Sequence, residues 1–188
     1  MMKKTLLLLA VVALFASQNL IAQDSAAMMK AWTAYMTPGP EQQKLALLEG
    51  DFTCDMTFWD NPDKPMKNTG NCTNKMIMGG RYLESRYSGN MMGTQFEGLG
   101  TLGFDNAIKT FIDTWIDNMG TGITVLEGHM IGADILELKG QVVDPMTGRR
   151  RNVRQTLKWV DANHHTLEMF HEMNGKEVKT MQINLTRK

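Results

Sequence analysis

From Gly50 to the end of the chain, apolar and polar residues alternate with a period of two in a series of short segments. This alternation is typical of β-strands that bury one face. Turn-forming residues separate most of the segments, as at Ser88-Gly89-Asn90, Asp144 to Gly148 and Asn174-Gly175. The pattern predicts ten strands, over residues 51–59, 70–79, 80–88, 94–104, 107–117, 121–129, 132–143, 150–160, 164–173 and 177–187.

The short connections determine how these strands associate. No alternation of strands with helices appears that would build a parallel sheet. We therefore predict an all-β domain over residues 49–188, formed by about ten strands in an antiparallel meander. Such a sheet protects its edges best by closing into a barrel, and a barrel of this strand number can enclose a cavity.

The segment before the strands has a helical pattern. Met28, Trp32, Tyr35 and Met36 recur at helical spacing, and the segment 37–40, Thr-Pro-Gly-Pro, interrupts the pattern. A second short helix is predicted to begin at Pro40. We expect this helical segment, residues 24–48, to cover one mouth of the barrel.

Residues 1–23 have the features of a cleavable signal peptide. Lys3 and Lys4 precede an apolar run from Leu6 to Ala16, and a plausible cleavage region follows at 20–23. The run is shorter than the ~20 apolar residues that a membrane-spanning helix needs. We expect a periplasmic or secreted protein with no integral membrane segment in its mature chain.

The two cysteines, Cys54 and Cys72, lie nine residues on either side of Asp63, in the turn-like segment 61–65. A hairpin centred there would place them opposite each other, within the distance that a disulfide requires. Because exported proteins meet oxidising conditions, we predict a Cys54–Cys72 disulfide.

A second hairpin is predicted around Asp105-Asn106. A two-residue turn at this position would place Gly98 opposite Asp113, Gly100 opposite Phe111, and Phe96 opposite Trp115. Large side chains would then cover glycines on a bent strand.

The charge balance and the absence of motifs exclude several functional classes. The chain has 20 Lys and Arg against 20 Asp and Glu, which argues against a nucleic-acid-binding surface. The sequence contains no phosphate-binding loop, dinucleotide fingerprint, nucleophile elbow or zinc-protease motif.

Four stretches of the strand region together resemble a bacterial family, domain-of-unknown-function family 1579: residues 79–84, 96–100, 103–106 and 114–122. The opening Gly50-Asp51-Phe52 and the late Arg187 are also similar to lipocalin-like (calycin) barrels. In those barrels the terminal Arg packs across a Trp on the first strand, and here Phe52 stands in place of that Trp. The resemblance implies a barrel fold and an exported setting, and it carries no catalytic residue.

The barrel interior is the candidate functional site. We expect it to bind a small, mostly apolar molecule, with aromatic side chains supplying contact area and Asp113 or His171 supplying orientation. The predicted lining consists of Tyr82, Phe96, Phe111, Asp113, Trp115, Met169 and His171. We predict no catalytic residue, metal or cofactor, and the oligomeric state is left open.

Two ligand alternatives use the same interior. Met169, His171 and Met173 share one strand face, and with Met76 they suit a copper ion. His171 is the histidine that we expect to face inward, and it could be an axial haem ligand. The adjacent His164 and His165 would point to opposite faces.

Two further alternatives need no ligand of this kind. A structural envelope protein would have a solid core. An enzyme would need Asp113 or His171 to titrate near pH 7. Asp113 and Asp117 lie ~13 Å apart on one strand, too far for a carboxylate pair. The simpler interpretation is structural: an ion pair of Asp113 with Arg81 or Arg86, or an acid that faces solvent at the barrel rim.

Overall fold

The computed structural model describes residues 24–59, 64–91, 93–173 and 175–188. The predicted signal peptide and the centre of the turn at 61–63 lie outside the described residues. The chain divides after Thr37 into two units. No helix among the described residues is long and apolar enough to cross a membrane.

The first unit holds helix α1, residues 24–36, as the helical spacing predicted. The Thr33 hydroxyl donates to the carbonyl oxygen of Met29, at 2.8 Å, within the helix. Trp32 and Tyr35 are one turn apart and meet edge to face, with ring centroids 5.9 Å apart. The helix ends before Thr37, ahead of the prolines that cannot continue it.

The second unit is built from ten strands and one short helix. The helix is α2, Pro40–Ala46. The strands are β1 Gly50–Phe58, β2 Met66–Ile77, β3 Tyr82–Met91, β4 Thr94–Asp105, β5 Thr110–Asp117, β6 Thr124–Met130, β7 Ile135–Val143, β8 Arg150–Trp159, β9 His164–Met173 and β10 Lys176–Arg187.

The strands form a closed antiparallel barrel, which confirms the predicted fold class. Each strand pairs with its neighbours in sequence, and β1 also pairs with β10 to close the sheet. In β1 the buried Phe52, Cys54 and Met56 alternate with exposed residues. The side chains on one face of each strand therefore point into the barrel, and those on the other face point to solvent.

Helix α2 packs against the end of the barrel where β1 begins and β10 ends, called the closed end below. Leu45 and Leu48 are buried there in one cluster with apolar residues of the sheet, among them Leu83, Leu102, Phe111, Leu136 and Trp159. The Gln42 side chain accepts the Gly39 N–H at 2.7 Å and donates to the Phe104 carbonyl oxygen at 3.1 Å. These contacts attach the helix to the sheet.

Arg187 at the end of β10 stabilises the closed end of the barrel. Its guanidinium lies 4.7 Å from the centroid of the Phe52 ring, the arrangement that the lipocalin-like resemblance implied. It donates to the carbonyl oxygens of Leu47 at 3.0 Å and Ala162 at 3.1 Å, and also to that of Glu49. A β-carbon on Gly50 would collide with this guanidinium.

The two cysteines are not directly opposite each other, so that part of the cysteine prediction is wrong. Cys54 pairs with Gly70 and Cys72 with Phe52, because the β1–β2 register differs by two residues from the symmetric hairpin. Both cysteines are buried on one face as free thiols. The hydrogen bond with Cys54 and burial raise the pKa of Cys72.

The predicted register of the β4–β5 hairpin is also wrong. Gly98 pairs with Asp117, Gly100 with Trp115, and Phe104 with Phe111. The connection spans residues 106–109 instead of two residues, with Lys109 at a positive φ of 57°. The Asp105 side chain accepts the backbone N–H of Ala107 at 2.7 Å, which stabilises this longer turn.

Candidate functional site

The barrel encloses a cavity of about 380 Å³. Leu48, Asn74 and His165 line it toward the closed end. Met91 and Met119 line it toward the opposite end, called the far end, where β3 ends and β5 leads into β6. Pockets for small molecules measure roughly 300–1,000 Å³, so this cavity has room for a small ligand.

Most of the cavity wall is apolar, and methionine is prominent in it. The lining methionines are Met56, Met91, Met119, Met169 and Met181. Unbranched thioether side chains adapt their shape to a bound molecule at little energetic cost. A wall of this kind suits an apolar ligand without imposing one rigid shape.

Trp115 on β5 forms the aromatic part of the wall. Its ring stacks near Phe96, with centroids 6.4 Å apart, and meets the edge of Tyr87 at 5.4 Å. Its indole N–H donates to Asp117 Oδ2 at 2.7 Å. A β-carbon on Gly98 would lie 2.4 Å from this ring, so the glycine makes room for the tryptophan.

Asp113 is the carboxylic acid within the apolar part of the cavity. It accepts a hydrogen bond from Gln155 Nε2 at 3.2 Å. It is half-buried and lines the cavity. Desolvation raises the pKa of Asp113 to about 7, against the hydrogen bonds from Gln155 and from the Thr114 backbone. Near neutral pH the carboxyl group is therefore protonated in a large share of molecules, and it then has a proton to donate.

His165 on β9 is a titratable group in the cavity wall toward the closed end. It is 2% exposed, and its ring lies 5.4 Å from the Phe52 ring. Neither of its ring nitrogens has a hydrogen-bond partner among the described residues. Desolvation lowers its pKa, and the positive charge of Arg187 lowers it further, so the imidazole is neutral at pH 7.

The structure brings four of the seven predicted lining residues together in the wall: Phe96, Asp113, Trp115 and Met169. Phe111 is buried beside Leu45 in the cluster at the closed end and does not line the cavity. Tyr82 is 43% exposed and covers Gly103, so it lies on the outer face. His171 does not line the cavity, and its Nδ1 lies 2.7 Å from the Thr180 hydroxyl oxygen.

Sequence reasoning missed His165, Gln155 and Asn74. For His165 the signal was present, because the alternation that turns His171 inward also turns Met169, Leu167 and His165 inward. Gln155 was missed because its partner Asp113 is 42 residues away on another strand. Arg86 pairs with Glu84 at 2.7 Å, so it does not form the suggested ion pair with Asp113.

The arrangement offers little for a metal ion. No group of three or more His, Cys, Asp or Glu side chains converges among the described residues. Of the copper set, Met173 is exposed, and His171 is engaged with Thr180 and does not line the cavity. An enzyme would need Asp113 or His171 to titrate near pH 7, and burial raises the pKa of Asp113 to about 7.

Comparison with known proteins places this barrel in a family. No curated protein matches the sequence. The crystal structure of Rv2717c from M. tuberculosis is similar in fold, with a TM-score of 0.57 and 14% identity, over 81% of this chain and 99% of that one. The model of the family described as Protein of unknown function (DUF1579) matches residues 37–187. The chain therefore belongs to the DUF1579 family.

Proposed function

We propose that this protein binds a small, mostly apolar molecule inside its barrel. The observation that carries the proposal is the cavity of about 380 Å³, with its methionine and aromatic wall and its few buried polar groups. Apolar walls with a small number of placed polar groups are the usual composition of small-molecule sites. Burial of ligand CH₂ groups in this wall would contribute roughly 0.8 kcal/mol each to binding.

The cavity also favours binding over the alternative of a structural protein with a solid core. Trp115, Phe96 and Tyr87 support one another around it and are held in place by the Trp115–Asp117 hydrogen bond. Such a wall is preorganised, which lowers the entropic cost of binding.

We further propose that the protein acts outside the cytoplasm, after removal of residues 1–23. In that setting Cys54 and Cys72, which lie diagonally on one face of the β1–β2 hairpin, would meet oxidising conditions. Intact mass measurement of protein from the periplasm of an expression host tests both points. The mass of a chain that begins near Asp24 and has two hydrogen atoms fewer than the dithiol form supports both points, and an unprocessed dithiol chain opposes them.

Binding is tested with a neutral apolar dye, N-phenyl-1-naphthylamine, whose fluorescence rises in an apolar site. Two variants on β7 form a matched pair, because Val142 lines the cavity and Val143 is 58% exposed on the other face. We expect Val142→Trp to weaken dye binding at least tenfold and Val143→Trp to leave it unchanged. Circular dichroism verifies that both variants are folded.

Absence of saturable dye binding to the wild-type protein, or equal binding by both variants, would oppose the proposal. Native mass spectra of the purified protein provide an independent test. A mass excess that disappears on denaturation would identify a molecule carried in the barrel.

A further inference from the structure

His165 is the buried polar side chain of the cavity that the protein leaves unsatisfied. It is 2% exposed and lines the cavity at its closed end, beside Leu48 and Leu185. Neither Nδ1 nor Nε2 has a partner within the described part of the chain. Leaving a buried polar group without a hydrogen bond destabilises a fold, so such a group requires an explanation.

The other two buried polar side chains of the wall, Asn74 and Gln155, are already engaged. The Asn74 amide donates to the Leu48 carbonyl oxygen at 3.0 Å, and its oxygen accepts from Cys72 Sγ at 3.1 Å. Asp113 and Gln155 bond to each other. Among the buried polar side chains of the described wall, His165 is therefore the one whose hydrogen-bonding groups are unused.

The chemistry of a neutral imidazole narrows the class of that ligand group. One ring nitrogen donates a proton and the other accepts one. A hydroxyl group also donates and accepts, so it can bond to either ring nitrogen, whereas an ester only accepts and can bond only to the nitrogen that carries the proton. A carboxylate would lose its hydration in this apolar end, and it could only accept a hydrogen bond from the imidazole.

We propose that His165 binds the hydroxyl group of an otherwise apolar alcohol at the closed end of the cavity. The proposal rests on the proposed function and refines it. The alkyl portion of the alcohol extends toward the methionines of the far end, which accommodate different chain shapes. His165 is thus a residue for specificity, while the apolar wall supplies most of the affinity.

The test compares 1-decanol with methyl decanoate and decanoate at pH 8, each displacing N-phenyl-1-naphthylamine. Wild-type protein is expected to prefer decanol over the ester at least tenfold. In His165→Leu the ratio of the two dissociation constants is expected to fall at least fivefold, and His165→Gln, which keeps a donor and an acceptor, should restore part of it. His164→Leu is the matched control, since His164 is exposed and engaged with Asp161 at 2.9 Å outside the cavity.

The outcomes separate this proposal from the one on which it rests. If the dye binds but wild-type protein does not discriminate decanol from the ester, the alcohol proposal is wrong and apolar binding stands. Tighter binding of decanoate than of decanol would overturn it equally, in favour of an anionic ligand. An unchanged ratio in both His165 variants assigns the preference elsewhere, and failure of the dye to bind removes both proposals.

Discussion

Replacement of Asp113 by Asn should change how the stability of the barrel depends on pH. The carboxyl group has a pKa of about 7 in the folded protein, against an ordinary value of 3.8. Between these two values the folded protein keeps a proton that the unfolded chain has released. The contribution of Asp113 to the free energy of unfolding should therefore fall as pH rises from 3.8 to 7 and change no further above that range.

The magnitude follows from the same two values. A tenfold difference in proton affinity corresponds to ~1.4 kcal/mol, so the complete effect at one site amounts to about 4 kcal/mol. Asn at 113 keeps an oxygen to accept the hydrogen bond from Gln155 but carries no titratable proton. Relative to wild type, Asp113→Asn should gain up to about 4 kcal/mol between pH 4 and pH 8.

Urea unfolding of both proteins at pH 4, 5, 6, 7 and 8 measures this difference directly. Other groups contribute to each curve with the opposite sign, because hydrogen bonds lower the pKa of Asp161 and Glu177 and burial lowers that of His165, and a lowered pKa makes stability rise with pH. Their contributions cancel in the comparison because both proteins carry them. A difference that stays constant from pH 4 to pH 8 would refute the assignment of Asp113 as a buried, neutral carboxyl group.

Three further substitutions test the fold around the cavity. Gly128→Ala should destabilise by at least ~2 kcal/mol, because its β-carbon would lie 1.9 Å from the Glu137 carbonyl oxygen, and an unchanged urea midpoint would contradict this close packing. Arg187→Lys should cost about 2 kcal/mol by losing the forked donation to backbone carbonyls, measured in the same way, and full stability would show that a point charge suffices. Glu177→Gln, which weakens the paired hydrogen bonds from Arg154, should cost less than ~1 kcal/mol and less still in high salt, whereas a salt-independent loss would mean that the ion pair is not its cause.

The strand number and the meander order could be predicted because their signals are local. Alternation with a period of two identifies a strand from a few neighbouring residues, and turn residues mark where it ends. The predicted helices also depended on local spacing and on Pro40. These local features are enough to predict that a barrel forms and that it has an interior.

Register could not be predicted in the same way, because it depends on turn length and on distant pairing. The connection after Asp105 is two residues longer than expected, which moves Trp115 from Phe96 to Gly100 as its cross-strand partner. At the β2–β3 turn, φ is positive at Met78, Gly79 and Gly80, and β3 begins at Tyr82 instead of residue 80. The inward residues of this strand are Leu83, Ser85 and Tyr87, so Tyr82 lies on the outer face. A shift of one residue exchanges the two faces of a strand.

The site itself is distributed over strands that are far apart in sequence. Asp113 and Gln155 meet across the barrel interior, and His165 lies on a third strand. Such a contact follows from the closed sheet and leaves no spacing pattern in the sequence. His165 is the exception, since its strand already carried the alternation that turns it inward.

The pairing of β1 with β10 has a consequence for how this chain folds. Arg187 bonds to the carbonyl oxygen of Leu47, 140 residues away, so β10, the last of the ten barrel strands in chain order, completes the closed end. Until it arrives, β1 and β9 each present an unpaired edge, and the interior cannot be sealed. Pairing of such distant segments slows folding, because the closure entropy is lost before the contacts form. We therefore expect this protein to complete its fold only after the whole chain is made, and a chain shortened by its last strand to aggregate instead of forming a smaller barrel.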